Sequence, residues 1–124
     1  MYVLVRKDLS PGQQVVQSCH AVAEAVSAFH ALEQEHPHLI VCEVSDETAL
    51  RRALGETQQC GIACRPFFEP DLGNQLTALA TEPISRARGR RFRKLRLLNP
   101  ADPGRAQVPG GSSSRVIKRD IANP

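Results

Sequence analysis

Aromatic residues are scarce in this chain. Of 124 residues, four are Phe, one is Tyr and none is Trp. A core made from such a sequence has to be Val, Leu, Ile and Ala. No apolar run approaches the ~20 residues needed to cross a bilayer. The opening Met1-Tyr2-Val3-Leu4-Val5 meets charge at Arg6-Lys7-Asp8, so no secretory leader is expected. Four cysteines without such a leader read as reduced thiols in a cytoplasmic protein. Cys60-x3-Cys64 has no matching second pair, which favours small buried hydrophobes over zinc. No GxGxxG, Walker loop, GxSxG or HExxH is present, and no residue set calls for a metal or a cofactor. Cys19 and His20 are neighbours on a helix and diverge by about 100°, which excludes a Cys–His nucleophilic dyad.

What is present divides by charge. Residues 1–85 hold five basic against eleven acidic side chains, whereas residues 86–124 hold eleven basic against two acidic. Seven of the basic residues fall within Arg86–Arg96. A basic end on an acidic body predicts a polyanionic partner, weighed about evenly against a merely solvated segment.

Residues 2–6 lack polar alternation, which predicts a strand buried on both faces. Asp8 to Gly12 is a turn. From Gln13 to Glu35 the apolar residues Val15, Cys19, Val22, Val26 and Phe29 recur at helical spacing, and His36-Pro37-His38 is the expected stop. Leu39–Val44 predicts a second strand. Ser45 is the expected N-cap of a second helix whose buried face is Ala49, Leu50, Ala53 and Leu54, with Gly61 as its stop. Ile62–Phe68 predicts a third strand, where Pro66 argues for an edge position or a bulge. Residues 69–75 form a loop, and Leu76–Thr81 a fourth strand. Ser85–Leu98 predicts a short basic helix. From Asn99 the chain turns to Pro, Gly and Ser, and residues 99–124 are expected to be a disordered tail on a single domain, residues 1–98. The order β-α-β-α-β-β-α predicts an α/β fold: a three-layer α/β/α sandwich with a four-stranded mixed sheet.

Gln13, Gln17, His20 and Glu24 form a polar stripe beside the apolar one. Near a helix N-terminus such groups favour a carboxylate, a phosphate or a developing oxyanion, and His20 has the chemistry of a general base. A solvated polar face is the plainer alternative, about twice as probable on spacing alone. Asp71, in a loop between strands, is placed to position a water or simply to form the turn. Glu69 is a weaker carboxylate candidate, and Thr77 and Thr81 offer hydroxyls.

These motifs resemble those of the type 2 peptidyl-tRNA hydrolases over roughly residues 2–98. That family opens with a hydrophobic strand, a D-L-x-M-G-x-G-K turn and a helix beginning A-A-Q-C-S-H-A. The matching residues are Val3-Leu4-Val5-Arg6-Lys7-Asp8-Leu9, then Gly12, then Gln17-Ser18-Cys19-His20-Ala21. Glu69 to Pro83, EPDLGNQLTALATEP, is similar to the family's later loop and strand. The resemblance implies hydrolysis of the ester joining peptide to tRNA by an activated water. It implies His20, Asp71, Gln17 and Thr77 as catalytic residues. Gln13, Arg86, Arg88, Arg90, Arg91, Arg93 and Lys94 would bind peptidyl-tRNA. Gln13 stands where the family has a lysine, and glutamine brings no positive charge, so Arg6 is one candidate to replace it. The competing expectations are a non-catalytic RNA- or protein-binding relative and a small-molecule-binding domain. A homodimer through a sheet edge or helix face is open to such a chain.

Overall fold

A computed structural model describes residues 1–33 and 36–100. The expected tail lies outside the described residues from residue 101 on, although Asn99 itself is buried and its N–H donates to Glu43 Oε1. The elements are β1 (Tyr2–Arg6), α1 (Pro11–Phe29), β2 (Ile40–Val44), α2 (Glu47–Gln59), β3 (Cys64–Glu69) and β4 (Gln75–Thr81). The sheet order is β2-β1-β4-β3. β1 runs parallel to β2 and antiparallel to β4, and β4 runs antiparallel to β3. The sheet is therefore mixed, as expected.

Each face of the sheet carries one helix. Val3, Val5, Ala78 and Ala80 pack against Ala21 and Ala25 of α1. Tyr2, Leu4, Leu76 and Leu79 pack against Leu50 of α2. Alternation along β1 sends successive side chains to opposite layers, so a central strand has to be apolar throughout, and all five of its residues are buried. β3 lies at the edge, where Pro66 breaks no inner ladder.

Several boundaries correct the sequence reading. α1 ends at Phe29, well before Pro37, because His30 turns into the left-handed region at φ 52° and its N–H returns to Val26. Leu32 lies beyond the helix and is exposed. The N-cap of α2 is Asp46 in place of Ser45, with Oδ1 accepting from Ala49 N at 2.9 Å. Gly61 follows that helix at φ 74°, as a stop should. Residues 85–98 form no α-helix: a single 3-10 turn spans Arg88–Phe92, and Leu97 then forms an isolated antiparallel bridge to Cys42. Tertiary anchors decide this segment. Phe92 stacks on Tyr2 at 4.6 Å between ring centroids, and Gly89 lies against the same ring.

The buried stripe of α1 also differs from the expected one. Gln14, Gln17, Ser18, Ala21 and Ala25 face the sheet, while Val15, Val16 and Cys19 are exposed. Gln14 donates to the carbonyls of Lys7 and Leu9 and so ties the helix to the turn before it. Ser18 bonds back to the Gln14 carbonyl. A hydrophobicity count passes over this stripe because its first turn is polar. Among the cysteines, only Cys42 is fully buried.

Candidate functional site

The site is built where the start of α1 meets the end of β3 and the beginning of β4. Ser10 caps α1, its hydroxyl accepting from Gln13 N, and Pro11 occupies the first turn, where a missing N–H costs nothing. This brings Gln13 and Gln17 over the sheet.

A bulge in β4 completes the site. Phe67 pairs with Ala78, but Phe68 pairs with Leu76, so Thr77 is an extra residue without a partner on β3. It turns toward α1, on the same side as Ala78. Bulges commonly re-aim a side chain in this way. Thr77 Oγ1 donates to Gln17 Oε1 at 2.6 Å. Gln17 Nε2 donates to Gln13 Oε1 at 2.9 Å and to Glu69 Oε1 at 2.7 Å. The carboxylate and the threonine fix the orientation of the amide, since the reverse flip would set an oxygen against Glu69. Glu69 Oε2 accepts the N–H of Asp71 at 3.2 Å. The Gln17 hydrogen bond, then the Asp71 N–H, and less strongly the positive potential of His20, hold the Glu69 carboxyl below its ordinary pKa of 4.5.

Gln17 and Thr77 are wholly buried, whereas Gln13, His20 and Asp71 are exposed. His20 lies one turn further along α1, stacked flat on Phe67 with ring centroids 4.5 Å apart and planes at 7°. That aromatic floor fixes the ring while leaving its edge in solvent. Asp71 lies in a 3-10 turn, Pro70–Leu72, closed by Gly73 at φ 64° and Asn74 at φ 60°. Four residues singled out from the sequence, Gln13, Gln17, Thr77 and the weaker candidate Glu69, thus share one hydrogen-bonded network. Asp71 is tied to it through its backbone N–H, and His20 lies on the same helix face one turn beyond Gln17. Thr81 is elsewhere, bonding Tyr2 N and the Glu82 carbonyl.

Arg6 does not supply the missing positive charge. It points to the α2 face, where Nε and Nη2 grip Asp8 at 2.9 Å each and Nη1 donates to Gln75 Oε1 and the Leu76 carbonyl. The basic segment is also elsewhere. Arg88 donates to the Gly61 carbonyl and faces Glu82, and Arg91 contacts Glu56 and the Cys60 sulfur. These contacts lie beside α2 and at the end of the sheet where β1 begins. Arg86, Arg90 and Lys94 are exposed, and among the described residues their side chains make no hydrogen bond or ion pair.

Two features escaped the sequence reading. Buried Glu43 accepts from Lys7 at 3.2 Å, lies 3.8 Å from Arg96 and receives Asn99 N, which fastens the segment 96–99 to β2. The extra residue Thr77 has no local signal on β4 itself, although Pro66 on β3 leaves a bulge open close by. Among the described residues, no helix is long and apolar enough to cross a membrane, and no three His, Cys, Asp or Glu side chains gather as metal ligands. Burial pushes the Cys42 thiol up to about 12, so it carries no thiolate chemistry.

The chain is thus an α/β domain in which a buried amide network joins the start of α1 to the end of β3 and the beginning of β4. The family model "Peptidyl-tRNA hydrolase PTH2" matches residues 1–98. The chain belongs to that family. No individual curated protein matches it.

Proposed function

We propose that the protein hydrolyses the ester between peptide and tRNA, with the rim around Gln17 as its site. The observation that carries this reading is the buried Gln17 bridging Thr77, Glu69 and Gln13 directly beneath the exposed groups. A merely solvated helix face has no need of a fully buried glutamine with three side-chain partners.

The exposed and buried groups divide the work. A water attacks the ester carbonyl carbon and passes a proton to the His20 imidazole. The bond from that carbon to the ribose 3′ oxygen then breaks, and the departing oxygen takes the proton back. Asp71, with its carboxylate in solvent and its backbone held by Glu69, orients the water. Both amide hydrogens of Gln17 are engaged and Thr77 is buried, so neither touches substrate. They act as positioning residues that fix Gln13 by its carbonyl oxygen and leave its own N–H groups for the developing oxyanion. Glu69, kept ionised, holds Gln17 and is not the base.

Neutral donors at Gln13 replace the family's lysine, which predicts a slower enzyme of the same class. That lack of charge also supports a second reading, a relative that binds tRNA without cleaving it. Turnover of peptidyl-tRNA by the wild type, beside His20→Ala and Asp71→Ala, separates the two. Hydrolysis lost in both variants supports the enzyme. Wild-type turnover at the buffer rate leaves only binding.

A further inference from the structure

We propose that the end of the sheet opposite the rim is a separate RNA contact, where Arg86, Arg90 and Lys94 neutralise phosphates and an adjoining cavity takes an unstacked nucleotide. The proposal takes the polyanion to be the tRNA of the function proposed above.

Six of the seven cationic residues of this segment fall into two sets, and the seventh, Arg93, donates to the Arg86 carbonyl. Arg88, Arg91 and Arg96 are anchors, held by Gly61, Glu82, Glu56, Cys60 and Glu43. Arg86, Arg90 and Lys94 are exposed and form no ion pair among the described residues, on a protein whose first 85 residues are predominantly acidic. The arch that carries them is rigid: Phe92 is buried on Tyr2, and a Cβ on Gly89 would come within 2.6 Å of that ring.

Beside the arch lies a cavity of about 650 Å³, within the range of small-ligand pockets. Tyr2, Phe29 and Ile84 give it apolar walls, and His38, Arg86 and His30, the last paired with Glu33 at 3.3 Å, line it with polar groups. Imidazole and guanidinium planes stack on bases as well as hydrogen-bonding their edges. Arg86 and Tyr2 also border the neighbouring hollow under Arg93 and Phe92, so cavity and arch are continuous. The arch is one strand length, roughly 17 Å, from the rim. It therefore grips nucleotides well away from the ester.

The test is equilibrium binding of deacylated tRNA to the full chain across a salt series. It involves no ester, so its outcome is independent of whether the protein is a hydrolase. The variant Arg86→Ala/Arg90→Ala/Lys94→Ala is expected to bind at least about tenfold more weakly at low salt and to flatten the slope of log K against log salt by about 2. The charge-keeping variant Arg86→Lys/Arg90→Lys should restore the slope, and Arg52→Ala on α2 should hardly alter it. A single-stranded oligonucleotide should compete better than a duplex carrying the same number of phosphates. An unchanged slope in the triple variant, an equal loss from Arg52→Ala, or better competition by the duplex would overturn the proposal.

Discussion

Thr77 and Gln17, sixty positions apart in sequence, share a buried 2.6 Å hydrogen bond between the threonine hydroxyl and the glutamine carbonyl. The bond exists because one extra residue in β4 turns Thr77 toward α1. Thr77→Val keeps the shape and leaves Gln17 Oε1 buried without its donor. Such a loss costs about 1–3 kcal/mol. In a domain of this size that lowers Tm by roughly 4–8 °C per kcal/mol. Thermal unfolding measures it, and an unchanged Tm would mean that the hydroxyl is not the amide's partner.

Glu69 makes the network sensitive to acid. Its folded-state pKa is held below 4.5 by Gln17 and the Asp71 N–H. The stability it contributes is therefore complete above the unfolded value and drains away as pH falls through the lowered folded value. Glu69→Gln removes this proton linkage, so the variant's stability should fall less steeply than the wild type's as pH drops from about 6 to 3. Asp8 and Glu47 are shifted in the same direction by Arg6 and by Leu76 N, so part of the slope remains. Urea titrations at a series of pH values provide the comparison.

Gly89→Ala tests the packing of the basic arch. The new methyl would come within 2.6 Å of the Tyr2 ring, and relieving that contact disturbs its stack on Phe92. Overpacking of this kind costs about 1–3 kcal/mol. The expected readout is a lower Tm together with weaker tRNA binding, whereas Gly55→Ala, with open space at its Cβ, should show neither effect.

Gln13→Lys should raise the rate of peptidyl-tRNA hydrolysis. Position 13 is exposed and tolerates the longer side chain. In the proposed mechanism a cation there would face the oxyanion in place of a neutral amide, and a single well-placed donor is worth up to about 10²–10³ in kcat. Steady-state kinetics should register the gain in kcat. A rate unchanged by the lysine would place the oxyanion elsewhere.

The sequence and the structure agree where one physical effect dominates. The uninterrupted apolar run of β1 suits a strand covered on both sides, and Pro66 points to an edge or a bulge: β3 is the edge strand, and its pairing with β4 is bulged close by, between Phe67 and Phe68. The spacing of Gln13, Gln17 and His20 already put them on one face of α1. Agreement fails where distant contacts decide. His30 ends α1 through a left-handed turn that composition does not announce. Val15 and Cys19 read as core yet are exposed, because Gln14, Gln17 and Ser18 find hydrogen-bond partners that make a polar first turn buriable. The arginine-rich segment had enough helix formers to suggest a helix, but Tyr2 and Phe92 fix it as a 3-10 turn. The Thr77 bulge, on which the site depends, is a property of the β3–β4 pairing and not of either strand alone.

The central claim concerns chemistry at the rim, and its most direct test is single-turnover cleavage of peptidyl-tRNA in ¹⁸O-labelled water. The account predicts that the wild type releases peptide with the label in its new carboxylate, and that His20→Ala slows release by about 10²–10⁴. Release at the buffer rate by the wild type, or an undiminished rate in His20→Ala, would contradict it.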